Sequence, residues 1–182
     1  RIQAIRRLAR GLGKEITVIA DLQGPKIRIC QFKESSVTLK ENAHFVIDTK
    51  LGARNGTADS VGVTYKNLAA EVASKDILVL DDGRIVLKVL KVSGSQIVTK
   101  VLTGGILSNN KGINKLGGGL SAASLTSKDK KDLKHAVLNE VDYIAISFPR
   151  CAADILYAKK LIKKAGGNTG VIAKIERAEA LD

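Results

Sequence analysis

The chain has 182 residues, enough for one large domain or two small ones. Its 45% hydrophobic and 26% charged residues are typical of a globular protein and exclude a disordered one. No apolar run approaches the roughly 20 residues of a transmembrane helix, and the sequence predicts neither a membrane partner nor a signal peptide. The first residue is not Met and lies within a helical pattern, which indicates a piece of a longer protein.

The formal net charge is +12, from 30 Lys and Arg against 18 Asp and Glu. This excess suits either nucleic acids or anionic metabolites. The cations are dispersed, and three Tyr with three Phe are too few for a platform that stacks single strands. We therefore expect an anionic metabolite and no nucleic acid as the ligand. Two alternatives stay open, namely a basic nucleic-acid-binding β module and a non-catalytic isolated β domain.

The two cysteines, Cys30 and Cys151, lie far apart and have no His or Cys at metal-ligand spacing beside them. This pattern argues against a structural zinc site. Two unpaired cysteines are also typical of a reducing compartment, so the sequence predicts a cytoplasmic protein.

The chain opens with apolar residues at helical spacing over residues 2–12, followed by Gly13 as a helix C-cap. A nearly continuous apolar run at 16–21 is typical of a parallel strand buried on both faces, and it ends at Asp21. Residues 29–117 then show short, β-branched and often alternating runs. This part predicts a small antiparallel β domain of the barrel type.

Two turns are visible inside the β-rich part. Asp82-Gly83 stands between two alternating apolar runs and is a strong hairpin signal. Gly94 indicates a second turn. The glycines at 117–119 are expected to form a hinge rather than a phosphate loop, because the Lys-Ser/Thr pair of a P-loop is missing.

After residue 120 the sequence again shows helical patterns alternating with apolar runs typical of buried strands. Thr126 and Asp129 have the spacing of a capping box and open a predicted helix. A buried strand is predicted at 141–147, a helix at about 152–165 and a further strand at 171–176. With the β-rich part set aside, helices and strands alternate, which predicts a parallel sheet of the (β/α)₈ type.

Each predicted parallel strand ends in a polar group. These groups are Asp21, Ser147, and Lys174 with Glu176. In a (β/α)₈ barrel the carboxyl ends of the strands form the active site. Residues two apart in a strand share a side, so Lys174 and Glu176 are expected to face one substrate from the same strand.

Six motifs in order resemble those of pyruvate kinase, and the resemblance runs from end to end of the chain. They are DLQGPKIR (21–28), VLDDGRI (79–85), NNKGINKLGGG (109–119), LTSKDKKDL (125–133), YIAISFPR (143–150) and IAKIE (172–176).

The resemblance implies an α/β and all-β fold: part of a catalytic (β/α)₈ barrel at 1–24 and 118–182, with an inserted β-barrel lid domain at 25–117. It implies glycolytic phosphoryl transfer from phosphoenolpyruvate to ADP, giving pyruvate and ATP. It also implies that the full-length parent is a homotetramer.

The family's site residues carry over by position. Lys174 would stabilise charge on the transferring phosphoryl group and the enolate, and Glu176 would be a ligand of Mg²⁺ or Mn²⁺. Arg28 and Lys111 would bind the phosphates of the nucleotide. Asp21 would bind a monovalent cation.

One departure from the family concerns that monovalent cation. Many members continue after the aspartate with Thr-Lys-Gly-Pro-Glu, whereas this chain has Leu22, Gln23, Gly24, Pro25 and Lys26. In the family, lysine in place of this glutamate accompanies loss of the potassium requirement. Lys26 is therefore expected to replace potassium, with an ordinary exposed lysine as the alternative.

Parts of the family's active site do not occur in this sequence. The N-terminal strand with its substrate arginine and two further monovalent-cation ligands is missing, as is the segment that brings a second metal carboxylate. The 182 residues are therefore expected to carry only part of the active site and to be inactive alone.

Overall fold

The computed structural model describes residues 1–181, which divide into two compact units. One unit joins Arg1–Pro25 to Ala122–Asp182, and the other comprises Lys26–Ser121. In chain order the elements are α1 (Ile2–Gly11), β1 (Ile19–Asp21), β2 (Ser36–Leu39), β3 (His44–Asp48), β4 (Ser60–Gly62), α2 (Leu68–Glu71), β5 (Ile77–Leu80), β6 (Ile85–Ser93), β7 (Gln96–Thr103), β8 (Gly105–Ser108), β9 (Ile113–Lys115), α3 (Ser127–Leu138), β10 (Tyr143–Ser147), α4 (Ala152–Lys164), β11 (Gly170–Lys174) and a 3₁₀ helix (Ala178–Leu181). Within residues 1–181, no helix is both long and apolar enough to cross a bilayer.

The first unit contains a three-stranded parallel sheet in the order β1-β10-β11. Asp21 lies opposite Ala145, and Ser147 lies opposite Lys174. The predicted parallel α/β arrangement is confirmed for this unit. Because all three strands run the same way, their carboxyl ends meet at one edge of the sheet.

The core of this unit forms where α3 and α4 cover the sheet. On α3 the buried residues of the core are Leu133, Ala136 and Val137, and Ile162 of α4 is buried with them. These residues pack with apolar residues of the central strand such as Ile146. Burying a side chain such as Leu133 contributes about 2 kcal/mol to folding.

The second unit is built mainly from a six-stranded sheet in the order β4-β3-β7-β6-β5-β9, with β2 and β8 as a separate pair. Four pairings of the larger sheet are antiparallel, whereas β3 and β4 run parallel. The expectation of a wholly antiparallel domain was therefore wrong at this edge. The chain between β3 and β4 is long enough to bring β4 back in the same direction as its neighbour, which a tight hairpin cannot do.

Both sequence-predicted turns of this unit are present. The chain reverses between β5 and β6 at residues 81–84, where Asp81, Asp82 and Gly83 have φ of 50°, 55° and 90°. Aspartate and glycine tolerate this left-handed region, which explains the strong signal of the Asp-Gly pair. Gly94, with φ of 59°, forms the turn between β6 and β7.

Three strands have limits that differ from the sequence-based expectation, and the one expected at 141–147 begins at Tyr143. The strand expected at 16–21 begins only at Ile19, and the strand expected at 171–176 ends at Lys174. Glu176 therefore lies outside the strand, and the argument that it shares a strand face with Lys174 was wrong. The physical reason is the register: Lys174 pairs with Ser147, where β10 itself ends, so the hydrogen-bond ladder has no further partner.

A buried carboxylate joins the start of α3 to the loop after β1. The predicted capping box is confirmed, since the Asp129 backbone N–H donates to Thr126 Oγ1 and Asp129 Oδ2 accepts from the Thr126 backbone N–H at 2.9 Å. The other oxygen, Oδ1, accepts from the backbone N–H of Gly24 at 3.1 Å. Asp129 is fully buried, so these bonds are shielded from water.

We expect Asp129→Ala to lower the free energy of unfolding by about 3 kcal/mol, because the N–H groups of Gly24 and Thr126 would lose their acceptor. Urea denaturation measures the difference. The matched control is Asp132→Ala on the same helix, whose carboxylate pairs with the exposed Lys128 and whose loss should cost much less, since exposed ion pairs contribute little to stability. Equal losses for the two variants would contradict the role given to Asp129.

Candidate active site

Three polar side chains occupy the carboxyl-terminal edge of the parallel sheet. Asp21, Ser147 and Lys174 are the last residues of β1, β10 and β11. The sheet itself therefore places them side by side, one from each strand. The sequence predicted polar side chains at the carboxyl ends of these strands, and these three side chains lie there.

The ammonium of Lys174 is the centre of the cluster. Its Nζ donates to Asp21 Oδ1 at 3.1 Å and to Oδ2 at 3.0 Å. A further hydrogen bond runs from Nζ to Ser147 Oγ at 3.2 Å. The Lys174 side chain remains 34% exposed, so a ligand can still reach the cation.

Glu176 reaches the cluster from the segment after β11. Its Oε1 lies 3.7 Å from Lys174 Nζ, and its Oε2 accepts from the backbone N–H of Phe148 at 3.1 Å. Phe148 has a φ of 56°, which is unusual for a residue other than glycine. In this backbone conformation the N–H of Phe148 points toward the carboxylate of Glu176. The hydrogen bond holds that carboxylate in place although Glu176 lies outside β11.

The surroundings of Lys174 favour its charged form. Hydrogen bonds to Asp21 raise the pKa of the Lys174 ammonium most; partial burial opposes them, and the charge of Glu176 adds to the increase. A lysine with an ordinary pKa of about 10.4 is already charged at neutral pH. Lys174 is thus a cation at neutral pH and cannot serve as a general base there.

A divalent metal at this edge would have few acidic protein ligands. Residues 1–181 contain no group of three or more His, Cys, Asp or Glu side chains placed to hold a metal ion. Mg²⁺ commonly takes only one or two carboxylates and completes its octahedral shell with water and substrate phosphate. Glu176 is a hard oxygen donor with an exposed carboxylate, so it fits the part of a single protein ligand.

The two predicted nucleotide ligands lie together in the second unit. Arg28 pairs with Gly112 in an isolated antiparallel bridge, and its guanidinium donates to the carbonyl of Asn110 at 2.7 Å. Lys111 Nζ forms an ion pair with Asp81 Oδ1 at 2.8 Å. Lys26, the predicted substitute for potassium, is exposed at the start of the same unit.

Sequence reasoning missed the contacts that hold the charged groups. Ser147 was recognised only as a strand end, yet its hydroxyl touches Lys174 and donates to the carbonyl of Leu22 at 2.6 Å. Nothing in the sequence indicates the left-handed conformation of Phe148, because this conformation is usually read from Gly, Asn or Asp. The one available signal was Ser147 itself, a small polar residue at the end of a predicted buried strand.

We expect Asp21→Asn to lower the pKa of the Lys174 ammonium more than Glu176→Gln does. Removing an adjacent negative charge disfavours the ammonium, and the hydrogen bonds to Asp21 are the larger influence. NMR titration of the Lys174 side chain in metal-free buffer measures both changes. A larger effect of Glu176→Gln would contradict the assignment of Asp21 as the main partner.

Comparison with known proteins gives matches over nearly the whole chain. The family described as "Pyruvate kinase, barrel domain" matches residues 1–182. The chain is 57% identical over 170 residues to the pyruvate kinase of Buchnera aphidicola subsp. Schizaphis graminum, covering 93% of this chain and 35% of that protein. It is 52% identical over 181 residues to pyruvate kinase II of Salmonella typhimurium, covering 100% of this chain and 38% of that protein.

A more distant relative shows the same extent of match. The pyruvate kinase of Corynebacterium efficiens is 38% identical over 179 residues, covering 97% of this chain and 37% of that protein. The chain thus spans little more than a third of the length of the curated relatives it matches.

Proposed function

The chain belongs to the pyruvate kinase family, and from this premise we propose that the protein containing it transfers a phosphoryl group from phosphoenolpyruvate to ADP, giving pyruvate and ATP. The observation that carries the proposal is the ammonium of Lys174, held by Asp21 and Ser147 at the carboxyl edge of a parallel sheet. This is the edge at which (β/α)₈ enzymes build their active sites.

Lys174 is proposed to stabilise negative charge during the transfer. In phosphoryl transfer, charge spreads over the oxygens of the transferring group, and catalysis depends mainly on positioning and electrostatics. The ammonium is already oriented by its neighbours, so little reorganisation is needed when charge develops. Its partial exposure leaves a direction from which an anionic substrate can approach.

Glu176 is proposed as one ligand of Mg²⁺ or Mn²⁺. When bound, such a metal would neutralise charge on phosphate oxygens. The contribution of this chain is to hold the carboxylate: the Phe148 N–H binds Oε2, and Lys174 lies on the side of Oε1.

In the second unit, Arg28 and Lys111 are proposed to bind the phosphates of the nucleotide, on the basis of the family pattern. Lys111 would exchange its ion pair with Asp81 for a phosphate oxygen, which costs little because the ammonium is about one third exposed. The lid role of the β-rich part, the inactivity of the 182 residues alone and the tetrameric parent stay predictions.

We expect Lys174→Met in the whole protein to lower kcat by a hundredfold or more, on the order of the loss of one preorganised charge in an active site. Met keeps the apolar length of the side chain and removes only the cation. The matched control is Lys160→Met, an exposed lysine of α4, which should keep full activity. Steady-state formation of pyruvate measures both variants. Full activity of Lys174→Met would overturn the proposed function.

Lys26 is proposed to supply the positive charge for which many family members need potassium. The whole protein should then work at near-full rate without potassium. Lys26→Glu should lose activity on the order of tenfold in potassium-free buffer and regain much of it when potassium is added. Lys26→Gln, which removes the charge without adding a carboxylate, serves as the control and should respond less to potassium. Equal activity of Lys26→Glu with and without potassium would show Lys26 to be a surface residue.

A further inference from the structure

We propose that Ser147 is a positioning residue for Lys174: its buried hydroxyl fixes the direction in which the ammonium points. This inference rests on the proposed function, since the value of a fixed direction depends on the chemistry at Lys174. Ser147 lies in the motif YIAISFPR, but the resemblance to the family assigned it no role in the site.

The hydroxyl of Ser147 is buried and has a hydrogen-bond partner besides Lys174. Ser147 is 3% exposed, and its O–H donates to the carbonyl of Leu22 at 2.6 Å. A hydroxyl has one hydrogen and two lone pairs, so this donation leaves lone pairs available to accept from Lys174 Nζ at 3.2 Å. The serine thereby links the loop after β1 to the end of β11 through the central strand.

Strand register supplies the placement of the serine. Ser147 and Lys174 are direct partners across β10 and β11. Side chains of paired residues in neighbouring strands lie on the same face of the sheet and within contact distance. The distance between the hydroxyl and the ammonium is therefore set by the backbone of the sheet rather than by a flexible loop.

Gly24 closes the space around the serine from the other side. A Cβ added at Gly24 would lie 2.9 Å from Ser147 Cβ, and Gly24 has a φ of 66°. The backbone of the loop after β1 therefore packs directly against the serine side chain. This contact limits the room for movement of the serine and for a larger residue at position 147.

A third contact matters because Lys174 has a long, flexible side chain. Lys174 Nζ donates to both oxygens of Asp21 at nearly equal distances, so Asp21 neutralises the ammonium without favouring one of its two oxygens. Ser147 adds a neutral acceptor on a different strand, which selects one direction for the ammonium. A lysine freed from this contact would keep its charge and lose orientation, and orientation is what accelerates a positioned reaction.

The test uses the whole protein with Ser147→Ala, Ser147→Thr and Ser147→Val. Ala should lower kcat about tenfold with little change in KM for phosphoenolpyruvate, because orientation acts in the transition state. Thr and Val have nearly the same shape and differ in the hydroxyl. Both add the same bulk beside Gly24, so the hydroxyl alone separates them, and Thr should keep a kcat about fivefold higher than Val.

Ser124→Ala is the matched control. Ser124 is also a buried serine of the first unit, 2% exposed, but its hydroxyl bonds to Asp154. It should cost some thermal stability and leave kcat unchanged. If Ser124→Ala lowers kcat as much as Ser147→Ala does, the effect is one of general stability and the positioning role is overturned.

A readout independent of turnover is the crystal structure of Ser147→Ala. The Lys174 side chain should leave its present position or occupy more than one conformer. An unmoved Lys174, or an unchanged kcat in the Ala variant, overturns the positioning role even if Thr fails to fold. The proposed function fails by a different result, which is retained activity in Lys174→Met, so the two failures are distinguishable.

Discussion

The ion pair between Lys174 and Asp21 joins the first and last strands of the parallel sheet across the strand between them. Ser147, at the end of the strand between them, also accepts a hydrogen bond from the Lys174 ammonium. The Asp21 side chain is 60% exposed, so this pair contributes to the orientation of the ammonium more than to the stability of the fold. The chemistry at this edge therefore depends on where the three strands end: Ser147 and Lys174 lie opposite each other, and Asp21 lies opposite Ala145, two residues before Ser147.

A second layer of contacts keeps these strand ends in place. The buried carboxylate of Asp129 holds the backbone of Gly24, and Gly24 packs against Ser147. Ser147 in turn binds the carbonyl of Leu22 and the ammonium of Lys174. A helix cap thus supports the orientation of a cation on another element, and a side chain added at Gly24 would collide with Ser147.

The charges around Lys174 also suggest why the proposed reaction would need a metal. One ammonium lies between two carboxylates, those of Asp21 and Glu176, so the cluster has a formal net negative charge. A phosphate-bearing substrate would be repelled by such a cluster unless a further cation were bound. We expect the divalent metal to supply that charge, with Glu176 as its ligand from this chain.

The sequence alone determined the local features. Helical spacing and the Thr126–Asp129 capping box identified α3, and Asp82-Gly83 identified a hairpin, because these signals act over a few residues. Polar strand ends indicated which edge of the sheet carries Asp21, Ser147 and Lys174, but not that Lys174 pairs with Asp21. Only the tertiary structure decided that β11 ends at Lys174, that Phe148 turns its N–H toward Glu176 and that Ser147 joins two strands. These features depend on which strand ends beside which, and register between distant segments is set by packing of the whole sheet rather than by any local pattern.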